Sequence, residues 1–286
     1  MWNGTEICRY NNDTYATPEV IRKKYDELGI EKGILLPEVS PECGFCIQSN
    51  EEVYEMTKKY NDLFYWFCCL DPRMGNNSPT TDFSYFLNHY KALGAKGMGE
   101  LMANLYVDDP LMDNLLYHCG ECDMPVIIHI APSTYGYYGI IDDLGLPRLE
   151  KMLKKYPKLK IMGHSQPFWA EIGNDVTNEN RNSYPTGKVN EGRIVNLMRE
   201  YENLYGDMSA GSGFNAISRD SDFGYRFIEE FQDKLFFGTD ICAPHNNILL
   251  SYWLDKAFED GCISETAYKK VSRENAIKML RLNENI

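Results

Sequence analysis

Short apolar runs recur along this chain at intervals of about 32 residues. They are centred near positions 34, 66, 98, 127, 161, 206 and 237, and each is bounded by Gly, Pro or polar residues. Runs of this kind are typical of parallel strands that are buried on both faces. Amphipathic helical patterns lie between them, so the chain is predicted to be a series of strand–helix units. The first such helix is expected to begin at Thr17-Pro18 and to end at Gly29.

This period and the length of 286 residues predict an α/β fold, a single (β/α)8 TIM-type barrel domain over residues 1–286. Seven strands are visible. One period before the first run, the missing strand would lie near residue 2, so the first strand is predicted to be missing or degenerate. The longest interval contains residues 172–193, a polar stretch that is expected to form a long loop. A flexible loop is also expected at Gly211-Ser212-Gly213.

Composition limits the partners and the compartment. The formal net charge of −13 disfavours binding to nucleic acid. Nine cysteines, an odd number, indicate free thiols in a reducing compartment. The longest apolar run has eight residues, whereas a membrane span needs about 20, and Met1–Asp13 has no apolar core of a signal peptide. We therefore expect a cytoplasmic protein that acts on a small-molecule substrate, without a nucleic-acid or membrane partner.

Polar side chains stand at the ends of four predicted strands, namely Glu100, His129, His164 and Asp240. In a barrel these ends meet at one mouth, where active sites lie. Imidazole and carboxylate groups together are the ligands of Zn²⁺ and related divalent ions. A bound ion lowers the pKa of its water from about 15.7 to about 7, and a nearby His or Asp can take the proton. The pattern therefore predicts a metal-dependent hydrolytic site.

Three further residues are candidates for contact with the substrate. Strands are counted here with the missing one as the first. Arg73 follows the third strand and could clamp a carboxylate with two hydrogen bonds, or form an ion pair at the rim. Asn104 and Trp169 follow the fourth and sixth strands and could line the pocket, although Trp169 could equally serve ordinary packing.

Several segments together resemble the amidohydrolase superfamily, most closely its branch with aminocarboxymuconate-semialdehyde decarboxylase and related hydrolases. They are residues 96–101, 125–130, 160–165 and 237–240, together with the Asn-Ala helix at 273–280. The resemblance covers roughly residues 17–284. It implies that His129 and Asp240 bind a divalent metal, zinc or manganese, and that Asp240 also accepts a proton from the attacking water. It further implies that His164 orients or protonates the reacting group, that Glu100 binds metal as in some relatives, and that the protein forms a homodimer.

One departure from the family concerns the first strand, where a His-x-His pair supplies two metal ligands. Met1–Tyr10 contains no histidine. Three explanations stay open: the sequence begins at an internal Met, the barrel has an altered site, or Thr5–Tyr10 forms a poor first strand. His89, His118 or His245 could substitute, and His245 is the best placed because it follows Asp240 on a loop. The expected function is hydrolysis of a small polar or carboxylated substrate. The alternatives are a decarboxylase on the same site and a catalytically depleted barrel.

Overall fold

The computed structural model describes residues 14–42 and 46–282. All seven apolar runs form strands, and every strand pair in this part of the chain is parallel. The strands are β1 (Gly33–Leu35), β2 (Phe64–Trp66), β3 (Met98–Leu101), β4 (Val126–Ala131), β5 (Ile140–Ile141), β6 (Ile161–His164), β7 (Leu204–Asp207) and β8 (Leu235–Phe236). The two-residue β5 was not expected from the sequence.

The strands form two parallel sheets, in which they follow one another in the order expected of a TIM-type barrel. β1 pairs with β2, and β3, β4, β6, β7 and β8 pair in sequence. A parallel bridge between Cys68 and Met98 continues the array from β2 to β3. The α/β barrel-type fold is therefore confirmed. The strand expected near residue 2 and the segment Thr5–Tyr10 lie outside the described residues.

Helices cover the strands. The first, α1 (Pro18–Leu28), begins after Thr17, whose side chain accepts a hydrogen bond from Val20 N, and ends at Gly29 with φ 68°, as predicted. The others are α2 (Asn50–Lys59), α3 (Met74–Asn77), α4 (Phe83–Ala92), α5 (Pro110–Glu121), α6 (Pro147–Lys155), α7 (Gln166–Ala170), α8 (Arg193–Glu200), α9 (Ala210–Ser218), α10 (Ser221–Glu230), α11 (Leu249–Glu259), α12 (Glu265–Lys269) and α13 (Asn275–Leu280). None of the helices in the described ranges is long and apolar enough to cross a membrane.

The interior of the barrel is apolar below the strand ends. Phe67, Ile127, Met162 and Phe236 form a buried cluster with Leu280 of α13. The next residue, Arg281, pairs with Asp123, which lies just before β4. The C-terminal helix therefore closes the N-terminal end of the barrel, and the opposite end stays free for chemistry.

The long polar stretch at 172–193 connects α7 to α8 without a helix of its own, as predicted. An antiparallel bridge between Gly173 and Glu191 closes its base. Arg181 anchors its middle: the side chain is 1% exposed, and Nη1 donates a 2.8 Å hydrogen bond to the carbonyl oxygen of Asp142. Its Nη2 lies 2.9 Å from Glu171 Oε1. A buried ion pair thus fixes this connection to the barrel.

The prediction of a flexible loop at Gly211-Ser212-Gly213 was wrong, because these residues lie in the first turn of α9. A Cβ at position 213 would overlap the backbone of Met208. The glycine therefore allows the helix to begin almost directly after β7, where a larger residue would force a longer connection.

Candidate active site

Three polar side chains converge where β3, β4 and β6 end. His129 and His164 are direct partners in the register of β4 and β6, and their ring centroids are 5.5 Å apart. Glu100 of β3 approaches both: its Oε1 lies 2.8 Å from His129 Nδ1 and 3.9 Å from His164 Nε2. Adjacent parallel strands end at the same edge, so the pairing register alone brings these groups together.

Ligand atoms of Glu100, His129 and His164 all lie within 4.8 Å of one another. Two imidazoles and one carboxylate suit Zn²⁺, Mn²⁺ and similar divalent ions. The donor set therefore fits a metal ion without the His-x-His pair of the first strand. This cluster includes His164, for which the resemblance implies catalysis, and omits Asp240, for which it implies a ligand role.

A second carboxylate lies behind His164, on the side away from Glu100. Asp207 ends β7, and its Oδ2 is 3.1 Å from His164 Nδ1. Ser209 Oγ is 3.2 Å from the same nitrogen and donates a 2.7 Å hydrogen bond to Asp207 Oδ2. Both nitrogens of this buried imidazole therefore face groups that could set its protonation.

Asp240 lies in the wall of the same cavity, four residues beyond β8, with its backbone in the left-handed region at φ 50°. Its side chain is open to the cavity but lies deep among protein atoms. This desolvation raises the pKa of Asp240 to about 7; Glu100 and Asp207 add to the rise, and His164 opposes it. A carboxyl group of this kind can hold or release a proton near neutral pH.

The pKa values of Glu100 and His164 are also shifted by their neighbours. Burial alone would raise the pKa of Glu100, but His164 and the hydrogen bond with His129 bring it below its ordinary value. Burial alone would lower the pKa of His164, but Glu100, Asp207 and Asp240 raise it to about 10. In the metal-free chain these charges favour a proton on each ring nitrogen, and a cation would compete for one of them.

The described residues line a cavity of about 740 Å³ that extends from these groups past β1 and β8 to α1 and α13, so the site occupies one part of it. Its polar wall contains Glu38, Glu100, His164, Asp207, Ser209 and Asp240. The apolar wall includes Phe67, Ile127 and Phe236 of the barrel interior. The site therefore combines a negatively charged rim with an apolar floor.

The three residues expected to contact the substrate are all engaged with the protein. Arg73 forms ion pairs with Glu42 and Asp71 at the rim. Asn104 Nδ2 donates to the carbonyl oxygens of Tyr137 and Gly139. Trp169 is 1% exposed, and its Nε1 donates a 2.8 Å hydrogen bond to Asp207 O. None of the three lines the cavity that the described residues form.

Sequence reasoning missed Asp207, Ser209 and Tyr138. The strand-end rule that found Glu100 also applies to Asp207, which ends β7. The ring of Tyr138 lies over His129, with centroids 4.4 Å apart, and no spacing rule predicts that contact. Of the alternative histidines, His89 and His118 lie on α4 and α5, and His118 Nδ1 is 2.7 Å from Ser84 Oγ.

Comparisons with known proteins agree with this architecture. The family model described as Amidohydrolase matches residues 8–282. A comparison with curated proteins finds no match.

Among solved structures, an uncharacterized TIM-barrel protein from Bordetella bronchiseptica is 19% identical, with a TM-score of 0.63 over 93% of this chain and 83% of that chain. A probable 2-pyrone-4,6-dicarboxylic acid hydrolase from Acinetobacter baumannii, with citric acid bound, is 16% identical, with a TM-score of 0.61 over 97% and 94%. A dihydroxybenzoic acid decarboxylase from Polaromonas sp. JS666, with manganese and the inhibitor 2-nitroresorcinol bound, is 20% identical, with a TM-score of 0.57 over 94% and 87%. At these identities the likeness concerns the fold.

Proposed function

Since the chain belongs to the Amidohydrolase family, we propose that it is a metal-dependent hydrolase of a small polar or carboxylated substrate. The observation that carries the proposal is the cluster of Glu100, His129 and His164, whose ligand atoms lie within 4.8 Å of one another. These three residues would hold one divalent ion. The manganese bound in the Polaromonas relative supports an ion of this class, with zinc equally suited to the donors.

When bound, the ion would supply an acidified water and polarise the substrate carbonyl. Asp240 then has the role of proton acceptor, because its carboxyl group faces the cavity close to the proposed ligands, and desolvation raises its pKa in the metal-free chain. Water adds across the acyl bond, and the proton held by Asp240 passes to the leaving group.

The charge of the rim supports a cation for a second reason. Glu38, Glu100, Asp207 and Asp240 all line the cavity, with His164 as the cationic group among them. The excess of carboxylates there would oppose the binding of a carboxylated substrate. A divalent ion between Glu100 and the two histidines would offset part of this negative charge. The ion would therefore contribute to substrate binding as well as to chemistry.

Decarboxylation on the same site is a second candidate, favoured by the raised pKa of Asp240. A protonated carboxyl that faces the cavity can deliver its proton to the carbon that loses CO₂. The named relatives include both reaction types. The same groups would serve either reaction, so the products must distinguish them.

The test uses the purified full chain loaded with Mn²⁺ or Zn²⁺. Probe substrates are 2-pyrone-4,6-dicarboxylate, 2,6-dihydroxybenzoate and a panel of small carboxylated lactones, esters and amides. We expect a product one water heavier than its substrate, without CO₂, from at least one hydrolysable probe. Release of CO₂ would replace the hydrolase proposal with the decarboxylase. A chain that binds metal stoichiometrically but turns over none of the panel would favour a barrel that has lost catalysis.

A further inference from the structure

We infer that Asp207 is a positioning residue of the metal centre. It keeps a proton on His164 Nδ1, so that the proton an ion displaces is the one on Nε2, the nitrogen on the side of Glu100. The inference rests on the proposed metal site and extends it to a residue that does not touch the ion. It follows from the two polar contacts of His164 Nδ1 and from the hydrogen bonds that hold Asp207.

The first step concerns the Ser209 hydroxyl. Ser209 Oγ lies 2.7 Å from Asp207 Oδ2 and 3.2 Å from His164 Nδ1. A carboxylate only accepts hydrogen bonds, so the single hydroxyl proton of Ser209 goes to Asp207. The Ser209 oxygen therefore offers His164 lone pairs and no proton.

The second step concerns the imidazole. Both neighbours of His164 Nδ1, the Asp207 carboxylate at 3.1 Å and the Ser209 oxygen, act as acceptors. Nδ1 must then carry a proton to satisfy them. In the neutral ring the other nitrogen, Nε2, has the lone pair, and this atom lies 3.9 Å from Glu100 Oε1 within the candidate ligand cluster. A metal-binding histidine whose other nitrogen donates to a carboxylate is both oriented and made more basic.

The third step concerns what holds Asp207. Its Oδ1 accepts a 3.0 Å hydrogen bond from the backbone N–H of Ser209, and its carbonyl oxygen accepts from Trp169 Nε1. Gly238 leaves space for the carboxylate: a Cβ there would lie 2.7 Å from Asp207 Oδ1 and 2.8 Å from Ser209 Cβ. Ser209 therefore holds both oxygens of the carboxylate, Trp169 fixes the backbone of Asp207, and Gly238 leaves the space that the carboxylate occupies.

These contacts predict the effect of Asp207→Asn. In this variant the backbone N–H of Ser209 still needs an acceptor, so the side-chain oxygen of the new Asn takes the place of Oδ1. The side-chain NH₂ group then takes the place of Oδ2. That group is a donor and would face His164 Nδ1. The neutral imidazole would then carry its proton on Nε2, the nitrogen on the side of Glu100, and could not bind an ion through that atom. Removal of such outer partners typically weakens metal binding by about 10–100-fold.

The test titrates the metal-free full chain with Zn²⁺ and with Co²⁺, by calorimetry and by the visible absorption of the cobalt form. We expect Asp207→Asn to weaken binding about 10–100-fold and to alter the cobalt spectrum. Ser209→Ala removes only one of the two acceptors at His164 Nδ1, so it should weaken metal binding less than Asp207→Asn does. Gly238→Ala keeps the carboxylate but crowds it, and should also weaken binding. The matched control is Asp222→Asn on α10, where the side chain is 79% exposed.

The outcomes separate the two proposals. If Glu100→Gln leaves wild-type affinity, the metal centre itself is wrong. If Glu100→Gln abolishes binding while Asp207→Asn and Gly238→Ala bind Zn²⁺ like the wild type, with an unchanged cobalt spectrum, the positioning role is overturned. Thermal unfolding of each metal-free variant checks its fold, and Gly238→Ala keeps the inference testable if Asp207→Asn does not fold.

Discussion

At the scale of a single residue, His164 links the candidate metal ligand Glu100 to Asp207 and Ser209. One ring nitrogen faces Glu100, and the other faces Asp207 and Ser209. An imidazole that is 5% exposed among carboxylates has few choices of proton position. Its chemistry is therefore set by the Glu100 carboxylate of β3 on one side and by Asp207 and Ser209, at the end of β7, on the other.

Asp240 is the residue whose replacement should separate binding from catalysis. It lines the cavity but lies outside the three-residue ligand cluster of the described chain. Asp240→Asn removes the proton acceptor, and we expect kcat to fall by about 10²–10⁴-fold while one metal ion is still bound. Steady-state kinetics and metal analysis of the same preparation check this. Loss of the ion with the activity would instead make Asp240 a ligand, and full activity would remove it from the mechanism.

At the scale of elements, strands were far easier to predict than connections. The seven apolar runs became strands because each is buried on both faces and must be apolar throughout. Their ends located Glu100, His129 and His164, since parallel strands end at one edge. The contacts of Asp207 and Trp169 could not be predicted, because they depend on side-chain direction across strands.

The connection at 172–193 shows the same limit. Its polarity correctly predicted the absence of a helix, but not that Arg181 would be buried against Glu171 and Asp142. The first strand, predicted near residue 2, lies outside the described residues, so its existence stays a prediction.

The Arg181 anchor gives a prediction for this connection. Arg181→Met would leave the Glu171 carboxyl buried without its charge partner. At about pH 8.5, above the raised pKa of Glu171, we expect a loss of about 3–5 kcal/mol in the free energy of unfolding. The double variant Arg181→Met/Glu171→Gln should lose less, because no unpaired charge remains. Urea unfolding measures both. Lys188→Ala, in the same connection with a side chain that is 77% exposed, is the control, expected within about 0.5 kcal/mol of the wild type. Equal losses in the single and double variants would contradict the ion-pair account.

At the scale of the whole molecule, buried carboxyl groups tie stability to pH. Desolvation raises the pKa of Asp142 to about 6 and that of Glu171 to about 7, although hydrogen bonds and Arg181 oppose the rise. The folded state then binds more protons than the unfolded chain between the ordinary pKa values of these groups and their raised ones. Their contribution to stability is therefore full at low pH and is lost as the pH rises toward 7.

Glu171→Gln removes one titrating carboxyl group, so a comparison with the wild type gives the contribution of Glu171 alone to the pH dependence of stability. The free energy of unfolding of the wild type, relative to that of Glu171→Gln, should fall between pH 5 and pH 7.5. Urea unfolding at both pH values measures the difference, with Glu179→Gln in the same connection as the control. A difference that stays constant or grows with pH would show that Glu171 is not held with a raised pKa.

We propose that Glu100 of β3, His129 of β4 and His164 of β6 together bind one divalent ion, although Met1–Tyr10 contains no histidine. Metal analysis by mass spectrometry, after dialysis of the purified full chain against Mn²⁺ or Zn²⁺ and then buffer, tests it most directly. We predict about one ion per chain in the wild type and in the control Asp222→Asn, and none in Glu100→Gln/His129→Ala. A wild type without bound ion, or a double variant that keeps it, would contradict the account.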